Sequence, residues 1–588
     1  MKVVVESGQY LTLPEPEHWL SDWSTQNSVI VHQLNEPDNL HPANGSSQVR
    51  SEIFLYIHSA LLRTDLRTGT VQPGICKSLP QISKNKLELV FELKEGLNWD
   101  DGSPLSPEDV VFTIKAAKCP LTDNAAFKPY FDLVENAEVV AGAENKVRVK
   151  MKKVYVQNVA LWADYPIIQR AKYDPLNSLA SYTFEQFNDT AFNAASEKSL
   201  VDWAASFNAP ENGFSPASIS GLGPYRLKEW QQGQMLVLER KQKHWTKNSD
   251  LYADAAGPDQ IVFKINKDPL SQELAFYKQE FDASTSLSSR TLLKLRGDST
   301  FNRNYHGRFV DVFGYTFIAL NTKPGVNKRA MALAELNVRK ALALLTPVDK
   351  MIEVVNKGVN KRVNGPVAPM KPSYNKSLPV IPFDIKKANA LLDESGWLKR
   401  DKDGIRMKQL NGMNSRLELE LLYLNLVPEW KEMALMLASA MGKAGVQVKL
   451  APCDLSLWLE RGTGHDFDMM MGSWNNSALP EDYTQLWSSR SWSDNGLNFA
   501  GFGDERSDAL IDSIAITLDD SLRNEMEWRM QEQIYAQQPY IFLYGLVRRT
   551  AIHRRFSGVE LYAERPGVLY NTFRLTHTGA GVKAGTMP

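Results

Sequence analysis

The side chains best suited to metal or acid–base chemistry stand together at His465-Asp466-Phe467-Asp468. If this stretch is a strand, Asp466 and Asp468 lie on one face and His465 on the other. One such cluster, without a second set of ligands, gives poor support for a metal site. A pair of carboxylates for glycoside hydrolysis stays open, because the spacing of such a pair is spatial. The sequence motifs of serine hydrolases, zinc proteases, phosphate-binding loops and dinucleotide-binding loops do not occur.

The elements that would position such side chains are clearest between residues 93 and 112. Asp101-Gly102 predicts a tight turn, and Ser106 followed by Pro107 predicts the start of a helix. Asp109 occupies the capping-box position, where Glu or Gln is usual. The stretch therefore predicts a strand, a turn and a firmly started helix.

Alternating and helical patterns predict the other elements. In the first half we predict strands at 29–31, 87–93 and 147–151, a helix at 49–62, and a hairpin at 225–239 that turns at Gln232-Gly233. In the second half we predict strands at 417–421, 446–450 and 467–471, and helices at 428–443 and 385–395, the latter capped by Asp384. The strand, helix and strand of 417–450 indicate a parallel pair with a right-handed crossover. The polar stretch 177–220 holds only weak helical signals and is predicted to be a surface connection.

Size and charge exclude some classes of protein. The 588 residues are too many for one hydrophobic core, so we expect two or three domains. The formal net charge of −1 provides no global basic field for nucleic acid or an anionic membrane. We find no run of about 18 apolar residues, so we expect no transmembrane helix.

The chain start and the cysteines bear on export. The first six residues turn polar after three valines and lack the apolar core of a secretory signal, so an exported protein would be present here in its mature form. Cys76 and Cys119 could form a disulfide in an oxidising compartment. The alternative, that they and Cys453 are buried free thiols, stays open.

Several segments, in the right order, resemble the extracellular solute-binding proteins of ABC importers, in the family that captures peptides, nickel and some oligosaccharides. The strongest is Trp99-Asp-Asp-Gly-Ser-Pro104 with the helix after it, and Gly221-Leu-Gly-Pro-Tyr225 is another. The remaining matches lie at 34–42, 61–75, 226–230, 240–245, 317–322, 338–342, 349–350, 384–397, 467–474 and 538–543. Each motif alone is weak, but together they cover about residues 28–560.

The resemblance implies an α/β, bilobal periplasmic-binding-protein-like fold (type II, Venus-flytrap) with an extra subdomain inserted in the first lobe. Lobe I would comprise residues 1–65, 216–314 and 543–588, the inserted subdomain 66–215, and lobe II 315–542. Two crossing strands, near Gly314-Tyr315 and near Leu543-Tyr544, would form the hinge.

The resemblance also implies a function without catalysis. A ligand that contacts both lobes shifts the equilibrium between open and closed forms, and a membrane permease would recognise the closed form. We expect a peptide as ligand, no cofactor, no metal, and the permease subunits of an ABC transporter as partners. An oligosaccharide or another polar solute is the alternative ligand, and a hydrolytic enzyme or a regulatory peptide binder is the alternative function. We expect a monomer in the periplasm or at the cell surface, where a lipid anchor is an option.

The site follows from the resemblance residue by residue. In peptide-binding relatives an aspartate three residues after a Trp pairs with the α-ammonium of the peptide, and Ser477 stands at that position after Trp474. Either Glu481 or Asp482 takes this role, or the ligand has no free ammonium there, since a neutral loop suits amide or hydroxyl groups. A surface turn and simple loop capping are the structural alternatives. The predicted ligand-binding residues are Glu36, Asp38, Asn39, Ser473, Trp474, Asn475, Asn476, Ser477, Glu481 and Asp482.

Overall fold

The computed structural model describes residues 4–45, 47–124, 127–143, 145–249, 251–323, 331–410, 412–494 and 496–576. Residues 1–3, the start of the predicted mature chain, lie outside this set. The chain divides into two compact units. Unit 1 comprises Met1–Gly8 and Phe309–Arg548, and unit 2 comprises Gln9–Arg308 and Arg549–Pro588. The chain passes between them after Gly8 and within two long strands, Tyr305–Leu320 and Tyr540–His553.

Unit 1 is built on a mixed sheet. Its neighbouring strands follow the order Gln447–Cys453, Glu418–Leu424, Met469–Asn475, Tyr305–Leu320 and Tyr540–His553. The first two pair in parallel and are joined by the helix Pro428–Lys443, as predicted. The other helices of this unit include Leu336–Leu344, Val348–Val354, Ile385–Glu394, Leu455–Thr463, Thr484–Trp487, Ser489–Ser493, Glu505–Ile516 and Asp520–Gln537. A small sheet of Lys399–Arg400, Arg406–Leu410 and Met413–Arg416 completes it.

The predicted cap at Asp384 is confirmed. Its carboxylate accepts a hydrogen bond from Lys387 N at 2.9 Å, which satisfies one of the free N–H groups at the helix start. Gly396 follows the helix with φ +80°, a left-handed conformation that favours glycine. Leu392 and Trp397 are fully buried in the core of unit 1.

Unit 2 has a mixed sheet of its own strands. Next to Tyr540–His553 come Ala283–Ser284, Ser28–Gln33, Gln260–Ile265, Met235–Arg240 and Tyr225–Gln231. The last two form the predicted hairpin, and Gly233 turns it with φ +72°. A second sheet has the order Gln81–Ile82, Glu88–Glu92, Lys146–Met151 and Val134–Val139. Other strands are Tyr10–Thr12, Leu62–Thr64, Val71–Pro73, Phe556–Ser557, Glu560–Tyr562 and Arg574–Leu575. The helices of this unit include Gln48–Ile57, Pro107–Lys118, Lys198–Phe207, Pro269–Tyr277, Ser289–Arg296 and Ser299–Asn304.

The predicted helix start at Ser106 is confirmed. Ser106 N donates to Asp109 Oδ2 at 2.9 Å, the reciprocal half of a capping box. The helix Pro107–Lys118 then buries Val110 and Ile114 in the same core as Phe91.

The helix predicted at 49–62 is shorter than expected and ends at Ile57. Gly223 N donates to Ile57 O at 2.8 Å, and a Cβ on Gly221 would lie 2.0 Å from that same oxygen. A distant segment therefore takes over the carbonyl that the next helical turn would use. The chain leaves the helix and begins the strand Leu62–Thr64.

The prediction that 177–220 is a surface connection is wrong. This segment contains the helix Lys198–Phe207 and contributes buried apolar side chains to a core that also includes Phe112. Leu200, Trp203 and Phe207 fall at helical spacing and explain the burial. The polar residues around them hid this pattern in the sequence.

Two further predictions concern a disulfide between Cys76 and Cys119 and the absence of a transmembrane helix. Cys76, Cys119 and Cys453 are buried and free, and Cys76 and Cys119 lie in different hydrophobic clusters. Within the described ranges, no helix is both long enough and apolar enough to span a bilayer.

Candidate functional site

The strand Met469–Asn475 carries the predicted binding loop at its carboxyl end. It pairs antiparallel with Tyr305–Leu320, which places Ser473 opposite Thr316, with their hydroxyl oxygens 3.0 Å apart. The predicted strand at 467–471 therefore begins two residues later and extends further than expected. The first predicted site residue, Ser473, is held within the sheet.

Gly472 allows this strand to approach two aromatic rings. A Cβ at this position would lie 2.8 Å from Phe317 Cζ and 2.8 Å from Trp458 Cζ2, closer than real Cβ atoms come. Glycine is therefore required here by space and not by backbone conformation.

Trp474 lies half-buried at the edge of an aromatic cluster in unit 1. Its ring stacks on Phe317 with centroids 5.8 Å apart, and lies 6.4 Å from Trp458 and 5.9 Å from Phe499. Its indole N–H donates to the Tyr540 hydroxyl at 3.4 Å. Burial raises the pKa of Tyr540 above its usual range, so the hydroxyl stays protonated. The cluster holds the Trp474 ring in place.

Asn475 and Asn476 have different environments. Asn475 is exposed, whereas Asn476 is anchored through its main chain, whose N–H donates to Phe313 O at 2.9 Å. The Asn476 side-chain amide donates to Pro366 O at 3.3 Å and to Glu481 Oε1 and Oε2 at 3.1 and 3.0 Å. Asn476 thus fixes the loop and orients the Glu481 carboxylate.

Glu481 also forms an ion pair within unit 1. Lys371 Nζ lies 2.6 Å from Glu481 Oε1 and donates to Leu479 O at 2.6 Å. Only 5% of the Lys371 side chain and 14% of the Glu481 side chain are exposed. The acid predicted as a partner for a ligand ammonium is therefore already paired with an ammonium of the chain.

The two remaining residues of the loop differ in role. Ser477 is half-buried and neutral. Asp482 Oδ1 accepts from Thr484 N at 2.8 Å, at the start of the short helix Thr484–Trp487. This contact ties at least one Asp482 oxygen to local structure.

Behind the loop lies a buried acid that the sequence did not single out. Burial, reinforced by the nearby Glu481 carboxylate, raises the pKa of Glu527 to about 7. Glu527 Oε1 lies 3.8 Å from Arg523 Nε on the same helix. Burial likewise raises the pKa values of Tyr315 and Tyr483, which interact electrostatically with Glu481.

In unit 2, Glu36 contacts the hairpin. Its Oε2 accepts from Trp230 Nε1 at 3.2 Å and from Gly233 N at 2.9 Å. Glu36 therefore links the early loop to the hairpin turn.

Asp38 and Asn39 contact their own loop. Asp38 Oδ1 accepts from Ser47 Oγ at 2.8 Å, and Asn39 Oδ1 accepts from His41 N at 2.9 Å. Both contacts are of the capping kind that short polar side chains make in loops.

The His465–Asp468 cluster is used for packing and backbone contacts. The His465 ring stacks on Trp492 with centroids 3.4 Å apart, and burial lowers its pKa. Asp468 Oδ2 accepts from Glu420 N at 2.8 Å. Among the residues that the structure describes, no group of three or more His, Cys, Asp or Glu side chains could hold a metal ion.

Lys371 is the site residue that sequence reasoning missed. It lies 110 positions before Glu481, in the stretch Pro369-Met-Lys-Pro372, which belongs to none of the matched segments. No local pattern marks a lysine whose partner is so distant in the chain. Only the folded structure shows that this lysine lies beside the candidate acid Glu481.

Comparison with known proteins agrees with this fold. A sequence model of the middle region of the bacterial extracellular solute-binding proteins, family 5, matches residues 70–496. The oligopeptide-binding protein AppA of Bacillus subtilis is 23% identical over 557 residues, which cover 92% of this chain and 90% of that protein.

Two solved structures share the fold. AppA of Bacillus subtilis, in complex with a nonapeptide, has a TM-score of 0.71 at 20% identity and covers 94% of this chain and 99% of its own. NikA of Brucella suis, in complex with Fe(III)-EDTA, has a TM-score of 0.74 at 21% identity and covers 93% and 100%. The predicted α/β periplasmic-binding-protein-like fold is therefore confirmed.

The family match also distinguishes the predicted solute-binding protein from the alternative of a hydrolytic enzyme. The matched relatives and structures are solute-binding proteins and not enzymes, which confirms the prediction of a binding protein. The chain belongs to family 5 of the bacterial extracellular solute-binding proteins.

Proposed function

We propose that this protein captures short peptides outside the cytoplasm and delivers them to the permease subunits of an ABC importer. Likeness to AppA, an oligopeptide-binding protein, supports the peptide as ligand. The observation that carries the proposal is the partly exposed residue Trp474, whose ring is held by an aromatic cluster and which is followed directly by the exposed, neutral Asn475.

This arrangement suits the chemistry of a peptide. A main chain offers alternating amide donors and carbonyl acceptors, and an asparagine side chain can meet both. Extended peptides are commonly bound through such main-chain hydrogen bonds, while side chains rest on apolar surfaces. Trp474 provides the apolar surface, and Asn475 and Ser477 provide neutral polar groups.

The remaining predicted site residues fall into two groups, those that shape the loop and those predicted to contact the ligand directly. Ser473, Asn476 and Glu481 would shape the loop, because their side chains bond to the sheet or to one another. Direct ligand contacts of Glu36, Asp38, Asn39 and Asp482 stay predictions, since each also accepts local hydrogen bonds.

Other polar solutes are the alternative ligands. Likeness to NikA, solved with Fe(III)-EDTA, supports a chelated metal as a candidate. An oligosaccharide would use the same combination of an aromatic ring and neutral polar groups.

Native mass spectrometry of the purified protein, followed by denaturing release, tests the proposal. A ladder of peptide masses among the released molecules is the expected result. Masses spaced by one hexose, or a metal complex, would contradict the peptide and move the assignment to that solute. If the protein is purified bare, a thermal-shift screen with the same solute classes decides, because a bound ligand raises the unfolding temperature by mass action.

Location and assembly follow from the same role. We propose a periplasmic or cell-surface protein, with a lipid anchor as an option, that acts as a monomer. Fractionation of the native cells with and without detergent tests the anchor, and sedimentation of the purified chain tests the monomer.

A further inference from the structure

The Glu481 carboxylate of the candidate binding loop is paired within unit 1. Lys371 Nζ lies 2.6 Å from Glu481 Oε1, and the Asn476 amide donates to both oxygens of the same carboxylate. The lysine is fixed a second time by Leu479 O, also at 2.6 Å. A lysine side chain is flexible, so these two contacts at 5% exposure mark a defined position and not a passing surface contact.

This pair changes what the loop can attract. An isolated carboxylate would favour a cation, but the charge of Glu481 is compensated by an ammonium at hydrogen-bond distance. A second ammonium placed beside the carboxylate would also lie close to Lys371, and like charges at short distance repel each other. Asn475 and Ser477 carry no charge, and the Asp482 carboxylate accepts a hydrogen bond from Thr484 N within the chain.

The charged residues that lie near the Lys371–Glu481 pair are also compensated in large part. Glu527 is the other buried acid next to the pair, and it faces the guanidinium of Arg523 at 3.8 Å. Arg523 is paired in turn with Asp520. Lys371 and Arg523 therefore balance Glu481 and Asp520. Burial raises the pKa of Glu527 to about 7, which limits the negative charge that remains.

We propose that Lys371 is a specificity-determining residue, an internal cation that fills the place of a ligand ammonium at Glu481. The part of the ligand that meets residues 473–482 then carries no positive charge. The ligand class is a peptide with a blocked amino end, or an internal stretch of a longer peptide, held by neutral groups. This inference rests on the proposed peptide-binding function and adds the chemical form of the peptide.

The test uses a pair of matched libraries. Random pentapeptides without lysine are prepared with a free α-amine and, separately, with an N-acetyl group, and are offered together to the full chain. Native mass spectrometry reads the ratio of the two forms that the protein retains. The same ratio is measured for Lys371→Met, for Lys371→Met/Glu481→Gln, and for Lys350→Met as a control, since Lys350 is an exposed lysine of the same unit.

The wild type and Lys350→Met should retain the two forms within about threefold of each other or prefer the acetylated form. Lys371→Met exposes the Glu481 charge, so its ratio should shift at least tenfold towards the free amine. The double variant removes that charge and should return to the wild-type ratio. This last comparison separates an electrostatic role of Lys371 from a merely structural one.

Three outcomes would overturn the inference. A wild type that retains the free amine at least tenfold over the acetylated form overturns it while leaving peptide binding intact. An unchanged ratio in a folded Lys371→Met has the same meaning. Retention of neither form by any folded variant overturns the inference together with the proposed function. If Lys371→Met does not fold, the inference is tested by the ratio of free to acetylated peptide that the wild type and the double variant retain.

Discussion

At the scale of single residues, the binding loop is determined by a few contacts. Trp474 is held by stacking on Phe317 and by a hydrogen bond to Tyr540, and Glu481 is held by Lys371. In the proposed site, the Trp474 ring, the Asn475 amide and the Ser477 hydroxyl are then the candidate groups for contact with a ligand. Two predictions are made at this scale, one for the aromatic side chain of Trp474 and one for the titratable side chain of Glu527.

Trp474→Ala should weaken ligand binding at least tenfold and leave the fold intact. The ring is the largest apolar surface at the loop, and its loss removes that contact, whereas its half-buried position limits the cost in stability. The measurement is calorimetric titration with the ligand released from the purified protein. Trp528→Ala is the control, because Trp528 is an exposed tryptophan of the same unit. Unchanged affinity in Trp474→Ala would contradict the placement of Trp474 at the site.

Glu527→Gln should change the pH dependence of stability. Burial raises the pKa of Glu527 from an ordinary 4.5 to about 7, so its contribution to the free energy of unfolding is full below pH 4.5 and is lost as pH rises through about 7. The glutamine stays neutral, so the variant should match the wild type at pH 4 and exceed it by about 3 kcal/mol at pH 8.

Urea unfolding at both pH values measures this difference. Glu525→Gln is the matched control, because Glu525 is exposed on the same helix, Asp520–Gln537. A constant difference between Glu527→Gln and the wild type across the pH range would show that the pKa of Glu527 is not raised in the folded protein.

At the scale of elements, one strand positions the whole loop. Met469–Asn475 lies in the middle of the unit 1 sheet, next to Tyr305–Leu320 on one side and Glu418–Leu424 on the other. Its side chains alternate between two cores, since Met469 and Met471 face one and Met470 the other. The loop therefore begins at a rigid edge, and the close fit at Gly472 is part of that rigidity.

Gly472→Ala should destabilise the protein by about 1–3 kcal/mol, because the new methyl group would overlap Phe317 and Trp458. The control is Gly442→Ala in the helix Pro428–Lys443, where nothing lies within 4 Å of the added carbon. That change should be neutral or stabilising by up to about 1 kcal/mol, because alanine favours a helix. Urea unfolding measures both, and equal effects would contradict the close approach of the rings.

At the scale of the whole molecule, the chain returns to unit 2 near its C-terminus. Arg555 donates to Asp282 through Nε at 2.7 Å and also to the main-chain oxygens of Ser24, Gln26 and Ser28. Arg555 and Asp282 are 3% and 4% exposed. This buried pair joins the start, the middle and the end of the sequence within one unit.

Asp282→Ala should cost about 3–5 kcal/mol in the free energy of unfolding, since it leaves a buried guanidinium without its counter-charge. Asp22→Ala removes the partner of Arg303 in an exposed pair, where both side chains are about half exposed, and should cost about 0–1 kcal/mol. Chemical unfolding of the two variants side by side gives the comparison. Similar costs would mean that the Arg555 pair is solvated in the folded protein.

Local sequence patterns were enough to predict several elements and the family. The capping box at Ser106, the cap at Asp384 and the hairpin turn at Gly233 depend on residues a few positions apart, so their patterns can be recognised without the fold. The parallel pair around Pro428–Lys443 follows from the periodicity of one continuous stretch. The order of the motifs indicated a solute-binding protein, and the family match confirmed it.

The contacts around the candidate site depend on tertiary structure. Lys371 and Glu481 are 110 positions apart, and Ile57 loses its next helical turn to Gly221 and Gly223, more than 160 positions away. The apolar side chains of 177–220 are buried because they pack against the helix Pro107–Lys118, which lies far away in the sequence. Such contacts depend on how distant segments pack, because charge neutralisation and close approach act through space and not along the chain.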